Sequence, residues 1–291
     1  KSVIIASGGY GGNKELLRRY YPSYDEVMRC DGLPLMGDGL LMALEIGAAT
    51  DGLGGLQLAG PRYLGPRLIN GIAQEPNTLW VNRRGERFTD EGLSFFMAEG
   101  ANAVDKQPGK LSFSLLDSRI VQIIQRDGPI KGSRILIGEG GAEKPDLDKS
   151  LWLEVDKGGV KASDSWDEIA AWIGANPEVL RGTVEEYDGF CDRGYDAVFA
   201  KDRRYLQALR TPPYYAIRCC SSFLTTLGGI KINHRMEALN HQDDPILGLY
   251  ATGDASGGWE SDTYCAILSG STFAFALSSG RIAGENAADG L

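Results

Sequence analysis

Apolar positions in this chain change spacing several times. The opening run, Val3 to Ala6, reads as a strand of the buried type, and it breaks at once into glycines. Helical spacing follows over Lys14 to Tyr20, with Asn13 as the predicted N-cap. A second helix is expected from Asp38 to Gly47, with Leu40, Leu41, Leu44 and Ala48 on one face. Leu79 to Asn82 and Arg87 to Thr89 read as a short hairpin turning at Arg84-Gly85. The middle, Gly92 to Arg210, is mixed and more polar. In it "SDSWDEIAAWIG" and "NPEVLRGTVEEYDGF" predict two short helices, the second capped by Asn176 with Pro177 at its first position. "GEGGAEKPD" reads as a surface loop. Beyond Thr211 the strand-type runs "YYAIRCC", "GGIKIN" and "LGLYAT" return, and a final helix is predicted from Ser271 to Ala287, Gly284 included. Both ends are therefore α/β in texture, and the middle is α+β. A buried-type strand at Val3 expects neighbours on both edges, so the sequence reads as starting inside a domain.

Composition narrows the function classes. With 291 residues, 43% hydrophobic and 24% charged, the chain can bury one large core or two ordinary ones. A formal net charge of -9 argues against a nucleic-acid partner, which needs clustered Lys and Arg. The most apolar stretch, Cys265 to Ile282, is interrupted by serines and glycines, so no membrane span is expected. Cys30, Cys191, Cys219, Cys220 and Cys265 lack a CxxC spacing and are expected to pack as reduced, small apolar side chains. Cys219 and Cys220 would point to opposite faces of a strand. With His234 and His241 as the only histidines, no metal site is expected.

The candidate chemistry lies near the C-terminus. In "GLYATGDASGGW" a strand ends at Thr252, Gly253 lets the backbone pass close to a ligand, and Asp254 offers a carboxylate acceptor. In "SGSTFAFALSSG" the residues Gly270, Ser271 and Thr272 open a helix whose free amides and positive dipole end suit developing negative charge. This arrangement suits a large cofactor lying across a strand end and a helix start.

Four blocks, in order along nearly the whole chain, carry a resemblance: "ASGGYGGNKELLRRYYP", "GDGLLMALEIGA", "LWVNRRGERFTDE", and "GGIKIN" followed by "PILGLYATGDASGGW" and "GRIAGENAA". Together they resemble the flavoprotein family of fumarate reductases, succinate dehydrogenases and 3-ketosteroid dehydrogenases. The resemblance implies FAD as cofactor and an α/β, Rossmann-like FAD-binding domain, here residues 1–57 and 227–291, with an inserted α+β capping domain over residues 58–226. The family's N-terminal βαβ unit with its GxGxxG turn is not in this sequence, so the FAD domain is expected to be truncated and its ADP half lacking. Ala6, Ser7 and Gly8 match the family's "ATGG" beside the cofactor. Asp254, after Gly253, matches the residue that accepts from ribityl hydroxyls, and Gly270 to Thr272 match the helix start facing the flavin C2 carbonyl.

The resemblance also shows where this chain departs. The family's substrate-binding histidines and arginines fall near Ala59 and at Phe95, Thr225 and Ile267, and the proton-relay Glu and Arg fall near Gly71 and Gln74. Without cations to clamp it, a dicarboxylate is a poor substrate. Phe95, Phe96, Ile267 and Leu268 are instead expected to line a pocket for a small-molecule substrate larger and less charged than fumarate. "DTYCAILSG" resembles the "TYPGPGG" of the ketosteroid dehydrogenases, and Tyr264 matches its carbonyl-binding tyrosine. The expected activity is therefore an FAD-dependent oxidoreductase moving a hydride between flavin N5 and an activated carbon–carbon bond. Tyr264 is its proton donor or carbonyl clamp, Thr225 and Thr226 are lesser polar contacts, and the electron donor is not identified by the sequence. The alternative from another class is a non-catalytic piece, a cap with half an FAD domain, that does not bind FAD alone. No localisation is read from the sequence, since any export signal would precede Lys1.

Overall fold

The structure, a computed structural model, describes residues 1–131, 145–260, 264 and 270–289. The chain begins with β1 (Val3–Ile5), α1 (Lys14–Tyr20), β2 (Arg29–Cys30), α2 (Asp38–Glu45), β3 (Thr50–Asp51) and β4 (Leu56–Tyr63). It continues through α3 (Arg67–Ala73), β5 (Leu79–Val81), α4 (Met97–Asp105), β6 (Leu111–Asp117), α5 (Ser118–Asp127) and α6 (Leu147–Asp156). Next come β7 (Val160–Ser163), α7 (Trp166–Ile173), α8 (Pro177–Arg193) and β8 (Tyr214–Thr226). It ends with β9 (Gly229–Ile230), β10 (Glu237–Leu239), β11 (Pro245–Ala251) and α9 (Ser271–Asp289). Contacts divide it into two compact units, Lys1–Leu58 with Ser222–Leu291, and Ala59–Ser221.

The first unit is α/β. β1 lies parallel to β11, with Val3 opposite Leu249 and Ile5 opposite Ala251, and β10 runs antiparallel on the other edge of β11. The expected burial of β1 is not found: Val3 and Ile4 are exposed, and only Ile5 is buried, because among the described residues β1 pairs on one edge alone. Asn13 caps α1 as predicted, its Oδ1 accepting from the Glu15 and Leu16 amides at 3.1 and 3.2 Å. The face assigned to α2 needs correction. Leu40 and Ala43 are buried while Leu41 is exposed. Gly39 turns the helix: a Cβ there would sit 2.5 Å from Ile5 Cγ2, so α2 lays its backbone on β1 and Leu41 faces away. On the α9 side, Ala283 and Ala287 pack against Met236 and Tyr250.

The second unit holds an antiparallel sheet in which β6 and β7 flank β8, with Ser114 and Val160 both opposite Ile217, and β5 extends the β6 side. β5, β6 and β8 are cushioned by the apolar faces of α3, α5, α6, α7 and α8, in one core that includes Ile69, Ile120, Leu151, Ile169 and Leu180. Asn176 does cap α8 with Pro177 in its first turn, but the helix is long, 17 residues, because Leu180, Val184, Tyr187 and Phe190 keep burying at helical spacing. The predicted hairpin after Leu79 forms its first arm and its turn at Gly85, with the second arm reduced to a single bridge from Val81 to Arg87. Arg87 leaves the ladder because its side chain is drawn into a buried ion cluster. Its guanidinium meets Glu91 through two bonds of 2.8 and 2.9 Å and Asp196 at 2.7 Å, and Lys201 Nζ lies 3.0 Å from Glu91. Burial alone would raise the Glu91 carboxyl, but Lys201 and Arg87 outweigh it and hold it below the usual range. Of the "GEGGAEKPD" loop only Pro145 and Asp146 fall among the described residues, and Asp146 N-caps α6.

Cys219 and Cys220 are both buried on β8. Cys219 joins the apolar core, and Cys220 Sγ lies 3.7 Å from the Arg62 carbonyl on the other face.

Candidate functional site

β11 delivers the chain to Thr252, and the backbone turns at Gly253 with φ of +58°, a conformation that a side chain resists. Ser279, buried in α9, pins this turn. Its hydroxyl donates to Phe275 O at 2.6 Å, so it accepts from both the Gly253 N–H at 3.0 Å and the Thr252 hydroxyl at 2.9 Å. The Gly253 amide is therefore spent inside the fold, and this glycine serves the site by shaping the turn. Ser279 was not among the predicted site residues. Its signal is a hydroxyl in step with Ala276, Ala283 and Ala287, on the small-residue face of the helix.

Asp254 follows directly. Its Oδ2 accepts from Thr225 Oγ1 at 2.8 Å, while Oδ1 is buried and has no hydrogen-bond partner among the described residues. Burial pushes the Asp254 carboxyl up, and the Thr225 bond draws it partly back. A buried acceptor left open is uncommon in native proteins and points to a missing polar partner. Beside it, wholly within the first unit, is a cavity of about 440 Å³ lined by Ala6, Gly8, Thr252, Gly253, Asp254, Thr272, Phe273, Ala276 and Gly280. That size is ordinary for a small-molecule or cofactor site. Small side chains make most of this wall, leaving the ends of β1 and β11 and the first turns of α9 open to a ligand. Gly8 belongs to the same economy: its φ is +75°, and a Cβ would meet Leu35 Cδ1 at 2.4 Å.

Ala6, Gly8, Gly253, Asp254 and Thr272 are thus brought together around one space. Ser7, Gly270 and Ser271 do not line it. Ser7 Oγ lies over α2, 2.2 Å from where a Cβ on Gly39 would stand. Gly270 starts α9 with φ of +91°, its carbonyl accepting from the Ala274 amide at 2.9 Å. Tyr264 is 9% exposed, so its hydroxyl is not in bulk water; it lies 2.9 Å from Ser271 Oγ and 3.3 Å from Thr272 Oγ1. Through Thr272 the tyrosine is one hydrogen bond from the cavity wall. Thr225 joins Asp254 rather than standing apart as a separate polar contact, and Thr226 Oγ1 accepts from the Tyr10 amide at 3.2 Å.

The expected substrate-pocket residues are less gathered. Phe95 and Phe96 are exposed in the second unit, the Phe95 ring 5.8 Å from that of Tyr205. Ile267 and Leu268 lie outside the described residues. Ala59 is buried, and Gln74 donates to Pro61 O at 2.6 Å. Among the described residues no cluster of three or more His, Cys, Asp or Glu side chains could hold a metal ion, and no helix is long and apolar enough to cross a membrane.

The sequence pattern of the FAD binding domain family matches residues 1–265. A protein of Shewanella frigidimarina named "Probable fumarate reductase Ifc3" is 30% identical over 289 residues, an alignment covering 99% of this chain and 44% of that protein. The vinyl phenol reductase of Lactiplantibacillus plantarum is 27% identical over 300 residues, covering 99% of this chain and 60% of that protein. The open conformation of a flavocytochrome c3 fumarate reductase superposes with a TM-score of 0.70 at 28% identity, over 100% of this chain and 46% of that one. The chain thus spans about half the length of the relatives it matches, and it belongs to the FAD binding domain family.

Proposed function

We propose that the full-length protein is an FAD-dependent oxidoreductase that reduces a carbon–carbon double bond conjugated to an electron-withdrawing group, as in an enone or enoate. The carrying observation is the open, buried Oδ1 of Asp254 on the wall of the cavity, an acceptor suited to a ribityl hydroxyl of the cofactor. The residues present fit the ribityl and flavin end of FAD. When bound, that group supplies hydride transfer at its N5 position. The start of α9 adds the positive end of a 19-residue helix, which favours negative charge beside Thr272. The Tyr264 hydroxyl lies within hydrogen-bond distance of Ser271 and Thr272, and it is the group we assign to donate a proton or to clamp a substrate carbonyl. In this reading Lys1–Leu58 with Ser222–Leu291 is the cofactor-binding part, and Ala59–Ser221 is the cap.

The substrate class follows from charge. Positions where the family carries histidine or arginine for a dicarboxylate hold Ala59, Phe95, Thr225 and Ile267 here. A bidentate cation is what orients a carboxylate, so a less charged substrate fits better. The relatives named for vinyl phenol and fumarate reduction support chemistry at a double bond. The test is to reduce the flavin-loaded full-length protein with dithionite and mix it anaerobically with 4-vinylphenol, a cinnamate-type enoate, a cyclic enone or fumarate. Reoxidation of the flavin should be faster with at least one of the first three than with fumarate. Fumarate reacting fastest would contradict the substrate assignment, and a protein that retains no flavin would contradict the cofactor assignment.

A further inference from the structure

Thr225 occupies a position where a substrate contact is expected, yet its only hydroxyl hydrogen is committed elsewhere. Two acceptors lie within reach, Asp254 Oδ2 at 2.8 Å and the Thr226 carbonyl at 3.4 Å, and the shorter contact is to the carboxylate. A hydroxyl has a single hydrogen to give. We infer that Thr225 is a positioning residue for the cofactor site: it fixes one oxygen of Asp254 so that the other, Oδ1, stays open on the cavity wall. This inference rests on the proposed FAD site and goes beyond it by assigning what orients the carboxylate.

Three observations carry it. The two oxygens of one buried carboxylate are treated oppositely, one bonded and one left without a partner among the described residues, which is the state expected of a group held for a ligand. Thr225 is the penultimate residue of β8, and the last, Thr226, is anchored by the Tyr10 amide donating to its Oγ1, so the donor stands on a fixed strand end. Among the described residues that line the cavity, none supplies a rival counter-charge. Ala6 and Gly8 after β1, and Thr272 and Ala276 of α9, face the same cavity and none is ionisable. Burial opposes ionisation of Asp254, and the Thr225 hydrogen bond is what favours it. A hydrogen bond to a carboxylate is stronger than one between neutral groups, so a single hydroxyl can matter here.

The test compares the unaltered full-length protein with Thr225→Val and Thr225→Ser. In the apo protein, a carbon-13 NMR titration of the Asp254 carboxyl should move to higher pH in Thr225→Val and return in Thr225→Ser. FAD affinity should fall about ten-fold or more in Thr225→Val, the size expected from losing a charge-assisted hydrogen bond. Its acid limb should move to higher pH, because affinity is lost as Asp254 protonates and the variant protonates earlier. Thr225→Ser, which keeps the hydroxyl and drops only the methyl, should recover both. An unchanged Asp254 titration and unchanged affinity in Thr225→Val would overturn the inference, as would Thr225→Ser being as impaired as Thr225→Val, which would mark the methyl packing as the cause. A shifted Asp254 titration combined with no FAD binding by any of the proteins would overturn the cofactor reading and the positioning role with it.

Discussion

Tyr264→Phe, in the flavin-loaded full-length protein, should lower turnover about 100-fold or more, the range for losing a general acid. The substitution removes one oxygen from a side chain that is otherwise buried, so packing changes little. The hydroxyl is held at 2.9 Å from Ser271 Oγ and 3.3 Å from Thr272 Oγ1, a short chain of exchangeable protons at the start of α9. Such a chain can hand a proton back to the tyrosine after it has given one up. Ser271→Ala should therefore cost less than Tyr264→Phe, since Thr272 remains. FAD affinity should be unchanged in Tyr264→Phe, because the residue does not line the cavity. A loss confined to apparent substrate affinity would mark Tyr264 as a carbonyl clamp, and unchanged turnover would remove it from the mechanism.

Arg87→Leu is expected to destabilise the protein by about 3–5 kcal/mol, the usual consequence of stripping the partner from a buried charge. Arg87 is 6% exposed in its side chain and bridges Glu91 and Asp196, both fully buried. Asp196 also accepts from the Val198 and Phe199 amides, and Glu91 from the Trp80 amide, so the three charges tie distant parts of the second unit together. Removing the guanidinium leaves two carboxylates against Lys201 alone. The loss is a large share of the roughly 5–15 kcal/mol that holds a domain folded. Arg87→Lys should recover little of it, because an ammonium cannot bond both oxygens of Glu91 and reach Asp196 at once. Urea denaturation followed by tryptophan fluorescence reads the effect. A loss below about 1 kcal/mol, as for an exposed ion pair, would contradict the assigned role.

These two residues illustrate what could be read from the chain and what could not. The Arg87 to Glu91 block is visible as a pattern, and the resemblance located it, but spacing alone does not reveal that its charges close on Asp196, 109 positions later in the chain. The cofactor end was more legible because its signals are local. A strand ending at Thr252, a glycine, an acid and a helix start are all contiguous or nearly so, and the structure places Gly253, Asp254 and Thr272 around one cavity. Asn13 and Asn176 were legible for the same reason, since a cap acts on amides two or three residues away. Errors arose where a distant element decides the outcome. Leu41 points outward because Gly39 seats α2 on β1, and periodicity alone does not know where the neighbouring strand lies. Val3 and Ile4 read as core residues by composition, yet burial depends on what pairs with the strand. Ser279 escaped assignment, and Thr225 was read as a substrate contact, because their meaning lies in partners far along the chain, Gly253 for the first and Asp254 for the second.

The space between the ends of β1 and β11 and the start of α9 is the one we propose to receive the flavin end of FAD. Hydrogen–deuterium exchange of the full-length protein, stripped of flavin and then reloaded with FAD, reads that claim without altering a residue. Protection on loading should appear in peptides covering Ala6 to Gly9, Thr252 to Asp254, and Thr272 to Ala276, because a bound ligand suppresses the local opening that lets these amides exchange. Unchanged exchange in all three segments, with FAD demonstrably bound, would place the cofactor elsewhere and contradict the account.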